Sequence, residues 1–337
     1  MNRQRFKVTL FFINNLPWVL VFFFYVVFSI INPSAMLSLD MLVFMLHSII
    51  PLGFLVLAQG LCLISGKMDL SVAAMTGFIG TSAGLFLRTY STIIPEPLSF
   101  FVPLIFGVAC GTINAYFIGV MGFNHFIVTL GTLMLFQGAR FLLYKGDIMG
   151  RELPAFYLQP GGNPLLSIAS FSIILLIFWF ILNYTRTGVY LYAVGTNPDA
   201  SARMGISLKR QYVILYLTCG LLSGFSALYY TGYNNSVPIT MATQSLFPSF
   251  AGAVIGGISL AGGQGSMLHA FAGTILLGVI EGGLTLLRIS PEERTTVYGL
   301  LVITAIIINK YRDSMRDKIM KQIIISSTEK EREEDVV

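Results

Sequence analysis

Long apolar runs alternate with short polar segments along most of this chain. A membrane hydrocarbon core about 30 Å thick is crossed by roughly 20 helical residues, so each run predicts a transmembrane helix. One further run, Phe250–Ala261, is apolar but shorter, and it is either a short span or a re-entrant segment. With this run included, the pattern predicts an all-α fold, a polytopic membrane helix bundle of about ten transmembrane helices. The longer runs are Leu10–Ile31, Met41–Ile64, Leu70–Leu87, Leu98–Ile118, Phe126–Tyr144, Leu165–Leu182, Tyr212–Gly232, Ser266–Leu287 and Thr295–Asn309.

Basic residues in the polar segments test this topology. If Met1 is cytoplasmic, the cytoplasmic side receives more Lys and Arg than the outer side, as the positive-inside rule requires. Without a crossing at Phe250–Ala261, the basic segment Lys310–Lys321 would lie outside, so we expect both termini in the cytoplasm. The cytoplasmic set is Arg3, Arg5, Lys7, Lys67, Arg186, Arg203, Lys209, Arg210, Lys310, Arg312, Arg316, Lys318 and Lys321. The outer set is Arg88, Lys145, Arg151, Arg288 and Arg294.

The composition agrees with a membrane protein. Only 37 of the 337 residues are charged and 55% are apolar, whereas a soluble domain carries about a quarter charged residues. We expect one transmembrane domain over residues 1–321 and a charged, mobile cytoplasmic tail over residues 322–337. The net charge of +5 requires no nucleic-acid partner, because cytoplasmic loops of membrane proteins are enriched in Lys and Arg. GxxxG pairs such as Gly107/Gly111 and Gly220/Gly224 predict close helix packing.

The sequence lacks the usual catalytic and metal-binding patterns. It has no GxxxxGK[ST] phosphate loop, no HExxH pattern, and no serine with His and acid partners at a recognisable spacing. The three cysteines stand singly in apolar runs, which is typical of small buried thiols. We therefore expect no catalytic residue, no metal site and no cofactor bound by this chain. The histidines are His47, His125 and His269, and the cysteines are Cys62, Cys110 and Cys219.

The polar loop Asn183–Arg210 contains a bounded helix of its own. Asn197 suits the N-cap, Pro198 the first helical position, and Asp199 the positive end of the helix dipole. Gly205 can adopt the left-handed conformation that ends a helix. The pattern predicts a short cytoplasmic helix over about 198–204. It either lies in the membrane interface or presents a surface to a cytoplasmic partner.

Two further segments interrupt the apolar pattern. In Leu61–Met75, Lys67 and Asp69 lie on the predicted cytoplasmic side, and we expect Asp69 to cap the helix that follows, with direct contact to a substrate as the alternative. The segment Gly256–Ser266 is rich in glycine and predicts a tight turn with close backbone approach. It has no following Lys-Ser/Thr, so it does not indicate nucleotide binding.

Polar side chains inside the spans are candidates for a substrate pathway. An ionised side chain in the middle of a membrane costs several kcal/mol, so such residues face protein or water. Glu281 lies well inside its span, and we expect it either to line an internal cavity or to pair with Arg140. The candidate pathway residues are Gln59, Asn114, Thr129, Gln137 and Glu281.

Four motifs together resemble a known family over about Leu42 to Asn309. The chain looks like the permease subunits of ATP-binding-cassette importers for ribose, xylose and related monosaccharides, which are binding-protein-dependent systems of the bacterial cytoplasmic (inner) membrane. The closest likeness is in the polar loop, and the other motifs follow in the expected order. The motifs are Tyr192–Asn197 with Ala200, Ala202, Arg203, Gly205 and Ile206; Gly256–Gly265; Asp69–Val72; and Phe126–Thr132.

The resemblance implies a type II importer-like permease that works in a larger assembly. The expected partners are ATPase subunits that use ATP and Mg²⁺, an extracytoplasmic sugar-binding protein, and a second permease copy or paralogue. In the family, the helix in the polar loop docks on the ATPase, which assigns coupling to Gly195, Asn197, Ala200, Arg203 and Gly205. The remaining motif residues are expected to form structural or gating turns, namely Asp69, Ser71, Gly262, Gly263 and Gly265.

The expected cargo is a monosaccharide of the ribose, xylose or galactose type. This chain departs from the family pattern at Lys67, Ala73 and His125 and near Gln137 and Glu281, which leaves the cargo more open than the fold. One alternative is the same machinery carrying a nucleoside or another small polar solute. A second, from a different class, is an ion-coupled secondary transporter that acts alone, although the polar loop has no evident role in such a protein.

Overall fold

Helices make up most of the computed structural model, which describes residues 15–144, 146, 148–290, 293–307, 310, 311 and 315. Two strands of two residues each form an antiparallel pair in which Ile148 lies opposite Val237. The predicted all-α fold is therefore confirmed. The N-terminal basic residues, most of the basic segment Lys310–Lys321 and the tail 322–337 lie outside the described residues.

The helices follow the predicted order closely. Residues 293–307 form a last described helix after those named below. A 3₁₀ segment, Glu96–Phe101, lies before the helix Val102–Asn114, and a π-helical segment, Ala115–Val120, follows that helix. A 3₁₀ turn, Gly150–Glu152, follows the first strand. The helices are α1 Leu16–Ile31, α2 Pro33–Met36, α3 Leu39–Ser48, α4 Ile50–Ile64, α5 Val72–Tyr90, α6 Val102–Asn114, α7 His125–Leu143, α8 Ala155–Gly162, α9 Pro164–Tyr184, α10 Arg186–Thr196, α11 Pro198–Arg203, α12 Leu208–Asn234, α13 Leu246–Ile255 and α14 Met267–Leu286; the strands are β1 Ile148–Met149 and β2 Ser236–Val237.

Five helical segments are long and apolar enough to cross a membrane, and a sixth span is formed if the bent pair α3 and α4 is counted as one. The chain bends by 46° between the axes of these two helices. Pro51 stands in the first turn of α4, where its ring and its missing N–H prevent the helix from continuing straight from α3. A helical membrane protein is thus confirmed, while the count of ten spans and the side of the termini remain predictions.

The predicted short apolar run Phe250–Ala261 is helical only in its first half, which forms the second half of α13, and the run connects the two ends of the bundle. The helix has only ten residues, and irregular backbone follows from Gly256 to the start of α14. Before α13, the Gln244 side chain accepts a hydrogen bond from Thr295; after it, Gly262 packs against Gly195 at the opposite end. Ile258 and Ser259 are buried in the irregular part, as membrane-embedded backbone outside a helix must be.

Glycines bring α6 and α12 into backbone contact. A Cβ added at Gly107 would collide with the carbonyl oxygen of Gly220, and one at Gly224 would lie 2.6 Å from the carbonyl oxygen of Pro103. No larger residue fits at these positions without separating the helices. The close packing predicted from the GxxxG pairs is confirmed here.

Candidate functional site

The three polar or glycine-rich segments of the sequence meet at one end of the bundle. The segment after α4 contributes Gly66, the end of α10 contributes Gly195, and the turn before α14 contributes Gly262 and Gly263. We call these four residues the glycine junction. Gly66, Gly262 and Gly263 have φ values of 68°, 86° and 69°, in the left-handed region that favours glycine. The tight turn predicted from the sequence is therefore confirmed.

Backbone contacts hold the junction together. The Gly263 N–H donates to the carbonyl oxygen of Ile64 at 2.8 Å. A Cβ at Gly195 would collide with that same oxygen, and one at Gly262 would lie 3.0 Å from the Cα of Gly66. Beside them, the Tyr192 hydroxyl donates to the carbonyl oxygen of Gly265 at 2.8 Å, and burial raises the pKa of this tyrosine. The end of α10 is thus joined directly to the end of α4 and to the start of α14.

The helix predicted in the polar loop is present as α11, one residue shorter than expected. The Asn197 Oδ1 accepts a hydrogen bond from the Ala200 N–H at 2.9 Å, as an N-cap should. At the other end, Gly205 has a φ of 84°, and the Ile206 N–H donates to the carbonyl oxygen of Ser201 at 3.0 Å. This is a Schellman motif, which fixes both the length of α11 and its direction of exit.

The outer face of α11 is open to a partner. Ser201 is buried against the bundle, whereas Asp199 and Arg203 are exposed and Met204 is 72% exposed. The helix therefore presents an acidic, a basic and an apolar side chain together. A surface of this composition suits contact with another polypeptide.

A buried polar network lies next to the junction, between α4, α5, α6 and α7. The Asp69 carboxylate accepts hydrogen bonds from the N–H and the hydroxyl of Ser71, at 2.9 and 2.6 Å. The Asn114 amide donates to the Ser71 hydroxyl at 2.9 Å and accepts from the Thr132 hydroxyl at 2.8 Å. Gln59 donates to the backbone carbonyl of Asp69 at 2.7 Å, which adds α4 to the network.

The role expected of Asp69 is only partly observed. The following helix begins at Val72, and Asp69 bonds Ser71 in the turn before it, so the prediction that Asp69 caps the helix directly is wrong. Burial raises the pKa of the Asp69 carboxyl, while hydrogen bonds from Ser71 and Asn114 lower it. Its main structural effect is to link this turn to α6.

We expect Asp69→Ala to destabilise the protein by about 2–3 kcal/mol, because the buried donors of Ser71 and Asn114 would lose a charged acceptor. Asp69→Asn keeps an acceptor oxygen and should cost less than half as much. The midpoint of thermal unfolding in detergent measures both changes. Equal midpoints for Asp69→Ala and the exposed control Asp199→Ala would contradict the role of this network.

The predicted pathway residues do not form one group. Gln59 and Asn114 belong to the buried network, and Thr129 lies beside it because the Thr132 hydroxyl also contacts its carbonyl oxygen at 3.3 Å. Gln137 is exposed on the surface of α7, away from these side chains. Glu281 lies on α14 towards the opposite end of the bundle.

The predicted pairing of Glu281 with Arg140 is wrong. Arg140 is 3% exposed and donates to the backbone carbonyls of Met241 and Pro238, at 2.8 and 2.7 Å. Glu281 instead forms an ion pair with Arg294 and accepts a hydrogen bond from the Tyr298 hydroxyl. Glu281 also lines a cavity of about 450 Å³, and its place in a substrate pathway stays a prediction.

Sequence reasoning missed the two partners of Glu281. Arg294 and Tyr298 are four residues apart, so a helix places both side chains on one face. That spacing could have identified them as a pair, but it could not show which residue on another helix they contact. The ion pair depends on packing between α14 and the 293–307 helix.

Two cysteines predicted as buried thiols are in contact. The Sγ atoms of Cys62 and Cys219 lie 3.3 Å apart, between α4 and α12. Both are fully buried, as is typical of structural thiols. Within the residues that the structure describes, no three His, Cys, Asp or Glu side chains are grouped so as to hold a metal ion.

These features define a class of protein. A multi-pass helical bundle with a cavity lined by polar and apolar side chains near one end, and an exposed, doubly capped helix joined to its core at the other, is the architecture expected of a membrane transport permease. Comparison with known proteins narrows this class to a family. The sequence model described as "Branched-chain amino acid transport system / permease component" matches residues 41–308, and the chain belongs to this family.

Individual relatives agree with this assignment. The chain is 28% identical over 296 residues to the autoinducer 2 import system permease protein LsrD of Escherichia coli K12 and of Shigella flexneri, covering 84% of this chain and 87% of each relative. The LsrD of Escherichia coli O157:H7 is 28% identical over 294 residues, covering 83% of this chain and 86% of the relative. No solved structure matches the chain. The predicted inner-membrane location and the resemblance to importer permeases are confirmed.

Proposed function

We propose that this chain is the transmembrane permease subunit of an ATP-driven importer for a small hydroxylated solute. The observation that carries the proposal is α11, an exposed helix with fixed ends joined through the glycine junction to two core helices. A loop helix that only lay in the membrane interface would not need this connection. A permease driven by another subunit does need it, because force applied at the surface must reach the core.

The junction suggests how coupling works. A cytoplasmic ATPase that closes on ATP and Mg²⁺ would displace α11, and with it the end of α10. Backbone contacts at Gly195 would carry that displacement to α4 and to the turn that starts α14. The bundle would then exchange inward-facing and outward-facing states, as in alternating access. Asn197, Ala200, Arg203 and Gly205 hold or present the docking helix, and Gly195 transmits its motion.

Other predicted residues receive roles consistent with this scheme. The turns containing Gly262, Gly263 and Gly265 would connect the movement of α11 to the opening and closing of the pathway. Asp69 and Ser71 would keep the adjoining turn rigid. Gln59, Asn114 and Thr129 would line the inner part of the pathway. The exposed position of Gln137 assigns it to a surface facing lipid or a second permease.

The proposed assembly contains two permeases, alike or different, two ATPase subunits and an extracytoplasmic binding protein. The relatives named for autoinducer 2 import favour a small oxygen-rich cargo, and the motif resemblance favours a ribose-, xylose- or galactose-type sugar. A nucleoside is the alternative cargo for the same machinery. The family description names branched-chain amino acids, whose apolar side chains would make no use of the donors and acceptors that Gln244, Glu281 and Arg294 place in the cavity.

Charge reversal on α11 tests the proposal. Arg203→Glu should lower transport-coupled ATP hydrolysis about tenfold, since one lost charge-assisted contact and a new repulsion are worth about 1.5 kcal/mol or more. Membrane insertion and yield should not change, because the side chain is exposed. The measurement is uptake and ATP hydrolysis by the complete complex in proteoliposomes.

The control is Lys310→Glu, the same charge reversal at an exposed residue far along the chain from α11. Normal coupling in Arg203→Glu would reject α11 as the docking helix. Uptake by this chain alone, driven by an ion gradient without ATP, would replace the proposal with the secondary-transporter alternative.

A further inference from the structure

We infer that the cavity around Glu281 is a solute-recognition site for a single-ring, polyhydroxylated molecule, an inference that rests on the proposed function and locates its substrate. The cavity has a volume of about 450 Å³. Small-molecule sites occupy about 300–1,000 Å³, so this volume suits a monosaccharide-sized ligand. None of the four motifs that resemble the importer family contains a residue that lines this cavity.

The chemistry of the lining matches hydroxyl groups. Glu281 can accept hydrogen bonds, Gln244 and Ser245 can both donate and accept, and Arg294 can donate. Because Arg294 already neutralises the Glu281 carboxylate, the pair offers both a donor and an acceptor without a net charge. Such a pair suits adjacent hydroxyls on a neutral ring better than it suits a cation or an anion.

Aromatic side chains supply the apolar part of the recognition. Tyr230, Tyr233 and Tyr298 line the same cavity. Tyr230 is hydrogen-bonded to Ser245 at 2.8 Å and Tyr298 to Glu281, which fixes the orientation of two of the three rings. Aromatic rings of this kind can pack their faces against the C–H faces of a sugar.

The position of the cavity connects it to the glycine junction. Leu52 on α4 and Glu281 on α14 both line it, near the ends of these helices that lie far from the junction. Ile64 lies twelve positions after Leu52 on α4, a distance of about 18 Å along the helix. The two helices that the junction contacts at one end are therefore among the helices that line this cavity at the other. Displacement of α11 would therefore reach the cavity through α10, the glycine junction and these two helices.

The test uses the complete reconstituted complex, with D-ribose, D-xylose, D-galactose and autoinducer 2 as probes. For the transported probe, Glu281→Gln should lower uptake at sub-saturating concentration about tenfold, while ATP hydrolysis stimulated by the binding protein persists. Glu96→Gln is the matched control, since it makes the same change at an exposed carboxylate. It should transport normally.

A charge exchange separates recognition from stability. Glu281→Arg combined with Arg294→Glu restores an ion pair but exchanges the positions of its donor and its acceptor, so it should recover the yield lost in either single variant but not the uptake. Recovery of uptake in the exchange, or normal uptake in Glu281→Gln, would overturn the site and leave the importer proposal intact. Absence of ATP-dependent uptake in the unmodified complex for every probe would instead count against the importer function itself.

Discussion

Gly195→Ala should reduce functional uptake to less than a tenth and destabilise the protein by about 3 kcal/mol, since overpacking of a tight core costs about this much. The added Cβ would collide with the carbonyl oxygen of Ile64 and would lie 2.8 Å from the Gly263 nitrogen. Those two atoms form a hydrogen bond with each other, so neither can move away without breaking it. Both obstacles are backbone, and no rotamer change relieves them.

The matched control for this variant is Gly131→Ala on α7. Gly131 is also helical, but an added Cβ there meets no atom within 4 Å. Alanine should therefore be neutral or stabilising by about 0.5–1 kcal/mol, the usual helix preference over glycine. Thermal unfolding in detergent and uptake in cells are the two measurements. Equal behaviour of the two variants would show that the glycine junction is not a tight contact.

Arg140→Met should destabilise the protein by about 3 kcal/mol, because two charge-assisted hydrogen bonds are lost and the buried carbonyl of Met241 loses its guanidinium donor. The guanidinium bonds the carbonyls of Pro238 and Met241 and fills the space left by Gly77. It thereby ties α7 to the 238–245 segment that precedes α13. We expect a lower thermal midpoint and faster proteolysis within that segment.

Arg151→Met is the control for this change, since Arg151 is exposed. A second variant tests the partner assignment. Combining Arg140→Met with Glu281→Leu should give additive losses within about 0.5 kcal/mol, because the two side chains share no partner. A large non-additive term in the free energy of unfolding would indicate a direct interaction between Arg140 and Glu281, which the structure does not contain.

Local features of the fold were predictable because their physical causes are local. The caps of α11 depend on Asn197, Pro198 and Gly205, which act within one or two helical turns of themselves. The glycine-rich turn was predictable in the same way, since glycine adopts the positive φ angles that the turn requires. Helix positions followed from the lengths of the apolar runs.

Contacts between distant segments were not predictable on the same grounds. Glu281 is 141 positions from Arg140 and 13 from Arg294, and hydropathy does not show which of them it faces. Gln137 was assigned to the pathway because it is polar, but a polar side chain in a span can also face outward, as it does here. The meeting of Gly66, Gly195 and Gly262 required the packing of three segments far apart in the chain.

The short helix α13 has a consequence for biogenesis. A helix needs about 20 apolar residues to cross the hydrocarbon core, and α13 has only ten. The backbone that follows α13 is not helical, so lipid would leave its N–H and C=O groups without hydrogen bonds. Its cover includes α14, against which Gly252 and Gly256 pack closely. Because α14 is synthesised after α13, we expect α13 to be fully covered only once α14 has been inserted beside it.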